Sequence, residues 1–226
     1  MLDELFEKAR ATSDEDEAIA IYNEILVQKE DWSSVHYNLG LIYKYRRDWE
    51  KSYKHNTRAV ELDPESEANQ WNLGIAATML GEWKVARECW NVFGLNYEVV
   101  NKDTAYEKKI GSCSIRIDPN GKAETVWAKR ICPARAVIES IPLPESEHNY
   151  KDIVLNDGAA NGHRMSDGVK YPVLDEIQHL TVSEYRTYSI KCKSLNDEHY
   201  EDLARRCREA DIEIENCVSS PENRTV

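Results

Sequence analysis

Within its first hundred residues the sequence repeats itself at a spacing of 34. At that offset Tyr37-Asn38-Leu39-Gly40-Leu41 falls on Trp71-Asn72-Leu73-Gly74-Ile75, and Asp48-Trp49 falls on Glu82-Trp83. Ser52 meets Ala86, Ala59 meets Phe93, and Pro64 closes one copy after Glu61-Leu62-Asp63. Moving 34 residues towards the start, Ser52, Asn56 and Ala59 land on Ala18, Tyr22 and Ile25, so a third copy opens the chain. A fixed period of this length means that each copy is one supersecondary unit, which buries its apolar face only against its neighbours. Apolar residues at helical spacing give each copy two helices and a turn. The small residues Gly40/Gly74 and Ala18/Ser52/Ala86 stand where two helices must approach closely, and Trp49 and Trp83 open each second helix. Ser13, followed by Asp14, Glu15, Asp16 and Glu17, supplies a capping hydroxyl and acids at the positive end of the helix dipole.

The period, the aromatic-Asn-Leu-Gly motif and the closing Pro64 resemble the tetratricopeptide repeat over residues 33–97. The resemblance extends to residues 1–32, where Phe6 takes the place of the motif glycine. It implies that residues 1–108 form an all-α right-handed solenoid of about three helix pairs, with a concave groove that binds peptides or protein segments without catalysis. In this family the first helix of each pair faces inward. Carried over, the groove residues are Tyr37, Asn38, Leu41, Lys44 and Tyr45 from one copy and Trp71, Asn72, Ile75, Thr78 and Met79 from the next. Asn38 and Asn72 would stack in register and pair their amides with the C=O and N–H of an extended peptide backbone. Tyr37 and Trp71 would form flat apolar walls. The alternative is structural, with the two asparagines capping or bridging helices. Members that bind chaperone tails use a basic clamp for a C-terminal carboxylate. The matching positions here are Asp3, Glu7, Ala68 and Asn72, so that clamp is absent. Lys44, Arg46, Arg47, Lys51, Lys54, His55 and Arg58 form the densest basic stretch, read as a solvated face balanced by Asp48 and Glu50. The last copy leaves an apolar end near Trp90 and Phe93, which a terminal repeat must cover. The segment 98–108 or the second domain is expected to do so.

The formal charge is -12, from 41 acids and 29 bases. That opposes nonspecific binding to nucleic acid or an anionic membrane, which requires a positive surface. No apolar run is long enough for a transmembrane helix. The opening Met1-Leu2-Asp3-Glu4-Leu5-Phe6-Glu7-Lys8 is acidic and amphipathic, unlike a secretory signal, so a cytoplasmic protein is expected. The six cysteines (89, 113, 132, 192, 207, 217) form no CxxC pair and read as free thiols. The six histidines show no metal-binding spacing, so no metal and no cofactor are expected.

Residues 109–226 change character. They hold the other six prolines, and short alternating runs replace the helical spacing. Residues 112–118 and 124–131 read as a hairpin across Pro119-Asn120-Gly121-Lys122. Further strands are expected at 136–141, at 152–155 ending on Asp157-Gly158, and at 170–174, with turns at Asn161-Gly162 and Asp167-Gly168. Together they predict an α+β domain with a small antiparallel sheet or barrel. Its tail reads as strand–helix–strand: 186–192, a helix from Asn196 to about Ala210 started by Ser194, and 212–218, with 219–226 frayed.

Two side-chain sets in this domain are candidates for chemistry. Cys132 with His148 or His163 and Asp157 could form a nucleophilic triad, but no spacing demands it and a small partly buried thiol is the plainer reading. Glu145, Glu147, Asp152 and Asp157 could hold a metal or act as an acid–base pair, against the plainer reading of a solvated loop. The expected function is therefore a non-catalytic protein–protein interaction module. It grips a partner segment in the groove, with the C-terminal domain as a second contact surface, a layout compatible with an inhibitor or immunity-type protein. The alternative is an enzyme in the C-terminal domain that uses the repeats for targeting.

Overall fold

Each expected helix pair forms. The computed structural model describes residues 1–99, 104–105, 107–121, 123–190 and 196–215, in two compact units, Met1–Glu107 and Lys108–Val226. Among the described residues the first unit holds α1 (Leu2–Ala11), α2 (Glu15–Gln28), α3 (Ser33–Tyr45), α4 (Trp49–Leu62), α5 (Glu67–Leu80) and α6 (Trp83–Val92). Their starts follow from side chains that accept otherwise unpaired N–H groups. Asp14, rather than the expected Ser13, accepts from the N–H groups of Asp16 and Glu17. Asp48 caps α4 through Lys51, and Ser66 caps α5 through Asn69. At its other end α5 stops on Gly81, whose φ of 74° suits a residue without a Cβ.

The repeated small residues set the spacing within each pair. A Cβ on Gly40 would lie 2.6 Å from the Asn56 side chain, and one on Gly74 would lie 2.5 Å from the Trp90 ring. Both contacts join residues sixteen apart. The same step in the first pair joins Phe6 to Tyr22, so an aromatic pair at 6.0 Å replaces the glycine contact. Phe6 also stacks on Trp32 at 5.1 Å. The first pair is thus held by rings, around a core of Ala9, Ala18, Ile21, Tyr22, Ile25, Val35 and Leu39. Beyond α6 the chain turns back. Asn91 accepts from the Tyr97 N–H at 2.5 Å and donates to its C=O at 2.8 Å, while Arg87 donates to the C=O of Thr104 at 2.7 Å. Tyr97 and Thr104 are thereby held against α6.

The second unit is built on a closed barrel of β1 (Gly111–Ile117), β2 (Glu124–Cys132), β3 (Arg135–Ile138), β4 (Ile153–Ser166) and β5 (Val169–Thr181), followed by α7 (Asp197–Glu209). Neighbouring strands run antiparallel, but β1 and β5 close the barrel in parallel, through Ser114↔Val173 and Ile115↔Leu174. The expected all-antiparallel sheet is corrected at this seam. With an odd number of strands joined by successive reversals, the first and last point the same way. Inward residues of alternate positions, among them Cys113, Ile115, Ile117, Val126, Ala128, Ile138, Val154 and Leu174, fill the barrel.

Two expected turns are also corrected. Asp157-Gly158 and Asn161-Gly162 lie inside β4, which runs on to Ser166. Gly162 has a φ of 115° and sits at a register shift, so it marks a bulge rather than a reversal. The reversal falls on Asp167-Gly168, with φ values of 49° and 76°. The strands expected beside α7 do not form among the described residues. Residues 186–190 are irregular, and the N–H of Ile212 closes the end of α7 by bonding the C=O of Cys207. A barrel closed at its seam leaves no edge there for a further strand. Ser194, the rest of those two predicted strands and residues 219–226 lie outside the described residues. No described helix is long and apolar enough to cross a membrane.

Candidate functional site

In the first unit, α1, α2 and α3 enclose a shallow cleft of about 210 Å³, lined by Ala9, Arg10, Thr12, Glu15, Ala18, Tyr22, Asn38, Leu41 and Ile42. Its lining mixes apolar side chains (Ala9, Ala18, Leu41, Ile42) with polar ones (Arg10, Thr12, Glu15, Asn38). Asn38 and Leu41, from the expected groove set, line it. The amide of Asn38 donates to the C=O of Ser34 within its own helix at 2.7 Å.

The remaining predicted residues divide between interior and surface. Lys44 is only 2% exposed and donates from Nζ to Oδ1 of Asn72 at 3.0 Å, with its ammonium 4.5 Å from the Tyr45 ring. Asn72, 5% exposed, therefore has its carbonyl engaged by the chain's own lysine instead of by a peptide backbone. Ile75 is fully buried, and the Thr78 hydroxyl bonds the C=O of Gly74 at 2.7 Å. These four side chains are buried, and Lys44 reaches across from α3 to α5 to meet Asn72. Trp71 packs edge-on against Trp90 at 5.1 Å and Phe93 at 4.9 Å, so it is an internal wall of its own pair. Tyr37 and Met79 are half-buried, and Tyr45 is exposed.

Ala9, Arg10, Thr12, Glu15, Ala18 and Tyr22 belong to the first copy, from which the resemblance carries over no groove residue.

The basic stretch is largely consumed within the chain. Arg46 bonds Glu15 and Asp16 at 2.6 Å each, Lys51 bonds Asp48 at 2.6 Å, and Arg58 pairs with Asp31 and Glu61. Further in, Nε2 of His36 faces the C=O of Glu30 at 3.0 Å, and its Nδ1 faces Nδ1 of His55 at 3.1 Å. A carbonyl only accepts, so neutral His36 carries its proton on Nε2 and His55 donates from Nδ1. Burial depresses both rings. The neighbouring His36 adds to this at His55, which falls to about 4.

The unfolded chain therefore takes up protons near 6.5, where the folded chain does not. The stability this neutral pair contributes is fully present above pH 6.5 and is lost as the pH falls towards 4. Allowing for partial solvent contact, the loss is about 2 kcal/mol. Thermal unfolding of the helical signal at pH 7.5 and pH 5 checks this. The expected drop shrinks in His55→Phe, and an unchanged slope in that variant would refute it.

In the second unit the proposed triad does not assemble. Nε of Arg135 donates to Sγ of Cys132 at 3.4 Å, and Asp157 accepts from the Gly158 N–H at 2.7 Å. His163 is exposed on β4. Instead His148 and His179 stack at 4.4 Å, with their planes 16° apart. His148 Nε2 meets Glu176 Oε1 at 2.9 Å and its Nδ1 meets the C=O of Ser146 at 2.7 Å. Both partners accept, so the ring is an imidazolium. Burial alone would depress it, but these acceptors outweigh burial and raise its pKa. Glu176 shows the converse: burial pushes it up, while His148 and the Asp118 N–H bring it below its ordinary value.

Fully buried Asp152 accepts from the N–H groups of Asn149 and Ser183 at 2.7 Å each. His179 Nε2 lies 3.0 Å from Asp152 Oδ2, outside hydrogen-bond alignment. The cluster ties three loops to β5. Among the described residues no three His, Cys, Asp or Glu are placed to hold a metal ion. The described cysteines are free thiols, and burial pushes Cys89 up to about 12 and Cys113 to about 11.

No protein-family model and no curated protein matches this chain. Among solved structures, it is similar to the second TPR domain of Spaghetti (RPAP3) bound to an HSP90 peptide, SRMEEVD, with 18% identity over 42% of this chain and 92% of that chain, and a TM-score of 0.39.

Proposed function

We propose that this chain is a non-catalytic protein-interaction module: a tetratricopeptide-type right-handed solenoid that holds a segment of another protein, with the barrel unit as a second contact surface. The observation that carries the reading is the cleft between α1, α2 and α3, lined by apolar Ala9, Ala18, Leu41 and Ile42 together with polar Asn38 and Glu15. Its volume of about 210 Å³ falls below the roughly 300–1,000 Å³ of small-molecule sites and suits one aliphatic side chain of a peptide. The half-buried helix faces beside it offer polar groups to the flanking backbone.

The barrel's titratable cluster fits a structural role better than a catalytic one. His148 and Glu176 have side chains 9% and 8% exposed, and their polar atoms are bound by backbone and by each other. A general acid or base must reach its substrate. Two binding surfaces without a reaction give the layout of an inhibitor or immunity-type protein.

Selection of displayed random peptides on the immobilised full chain tests the reading. Selected peptides are expected to bind Leu41→Gln at least about tenfold more weakly than wild type, a loss of ~1.4 kcal/mol, in a variant matched to wild type by circular dichroism. Peptides that bind both proteins equally would place the surface elsewhere, and the absence of any selected peptide would refute peptide binding.

A further inference from the structure

We infer that the Tyr22 hydroxyl and the Asn38 carboxamide oxygen hold one peptide unit of the partner's main chain, the phenol donating to its C=O and Asn38 accepting from its N–H. This rests on the peptide-groove reading and names the group that the cleft recognises.

Most polar groups around the cleft are already engaged within the chain. Arg10 donates to both Glu7 oxygens, at 3.1 and 3.3 Å. Glu15 accepts from Arg46 at 2.6 Å. The Thr12 hydroxyl donates to Glu17 at 2.9 Å and accepts from the Asp14 N–H at 3.2 Å. Two groups are left. Asn38 commits an amide N–H to Ser34, but its Oδ1 accepts from no described residue. Tyr22 lines the cleft and is only 2% exposed, yet its hydroxyl bonds no described residue. That oxygen is not sealed from solvent, so it opens into the cleft.

The later copies offer no such group. Position 22 matches Asn56 and Trp90 at successive 34-residue steps. Both are 0% exposed and close against Gly40 and Gly74. Tyr22 faces Phe6 instead, ring to ring at 6.0 Å, within the apolar core of the first pair. The ring is thereby fixed while its polar end stays available. Burial raises the phenol's pKa, with nearby Arg10 opposing, so it remains a neutral donor. In the free chain water satisfies this hydroxyl, and a ligand that displaces the water must return its hydrogen bond. A neutral donor on α2 and a neutral acceptor on α3 match the C=O and N–H of a peptide unit. The apolar Ala9, Ala18, Leu41 and Ile42 beside them take the adjoining aliphatic side chain.

A pool of short capped peptides randomised over Ala, Leu, Val and Ser and labelled with fluorescein provides the test, beside the same pool methylated at every main-chain nitrogen. Each is titrated with the full chain by fluorescence anisotropy at ~0.02 M and ~0.3 M salt. The unmethylated pool is expected to bind Tyr22→Phe about fivefold more weakly than wild type, the size of one neutral hydrogen bond. Tyr22→Phe keeps the ring, so its urea midpoint should match that of wild type. The methylated pool, which has lost the N–H donors, should bind wild type about fivefold more weakly than the unmethylated pool. That comparison needs no variant. Salt should change neither ratio, because both groups are neutral, and Leu41→Gln should abolish binding. Equal binding in either comparison, or a ratio that collapses at high salt, with binding lost in Leu41→Gln, would overturn the inference and leave the groove reading standing. Binding that survives Leu41→Gln, or no binding of either pool, would overturn the groove reading and the inference together.

Discussion

Replacing Trp90 with alanine is expected to destabilise the helical unit by about 3–5 kcal/mol, because truncating a fully buried large aromatic leaves a cavity that rigid helices cannot collapse. Trp90 is 0% exposed, packs edge-on against Trp71, and lies where a Cβ on Gly74 would stand 2.5 Å from its ring. Its indole N–H has no hydrogen-bond partner, so truncation orphans no acceptor and the effect is one of packing. Gly74→Ala strains the same contact from the other side and should cost about 1–3 kcal/mol by overpacking. Because one contact carries both losses, adding Gly74→Ala to Trp90→Ala should add much less than its cost alone. Urea unfolding followed by far-ultraviolet circular dichroism measures all three. Strict additivity, or a Trp90→Ala effect below ~1 kcal/mol, would remove this contact as the determinant of the α5–α6 spacing.

The second large effect is expected at Glu176. Its carboxylate accepts from His148 and from the Asp118 N–H, and it is nearly buried. Glu176→Ala leaves an imidazolium and an amide without their acceptor, at a cost of about 3 kcal/mol near pH 6. The pH dependence has a definite sign. His148 has a raised pKa, so its contribution is fully present below its unfolded value of 6.5 and is lost as the pH rises through the folded value. Glu176 has a lowered pKa, so its contribution is present above 4.5 and is lost as the pH falls through its folded value. Wild type minus variant should therefore peak between about pH 4.5 and 6.5 and decline on both sides. Over that same interval the His36–His55 pair acts oppositely, weakening the helical unit as acid is added. Differential scanning calorimetry of both proteins at pH 4, 5.5 and 8 checks the prediction. A pH-independent difference would mean that the pair is not ionised.

How far the molecule was legible depended on whether the determining contact was local. The start of α2 was legible to within one residue, with Asp14 in place of Ser13 as its cap, because a cap acts on N–H groups two or three residues away. Asp167-Gly168 makes its turn for the same reason, whereas Asn161-Gly162 carries an equally good local signal and forms a bulge. Pairing with β5 on one side decided that, and no local rule contains it. At the cleft, the residues carried over from the resemblance include Asn38 and Leu41, which line it. They also include Asn72 and Ile75, which are buried. Period alone cannot tell which face of α5 is still open once Lys44 has crossed to it.

By itself the amino-acid order determined the three helix pairs, the close-approach glycines, the β1–β2 hairpin and the acidic surplus of the first pair. These follow from spacing, caps and charge, all counted along the chain. Only the tertiary structure decided that Phe6 replaces a glycine contact with a ring contact, that the barrel closes through a parallel seam, and that the open cleft lies between α1, α2 and α3. It alone brought His148 and His179 into one stack from positions 31 residues apart. Side-chain reach and burial are set by neighbours distant in the chain, and one lysine or one ring at such a contact is enough to move a site from one helix pair to the next.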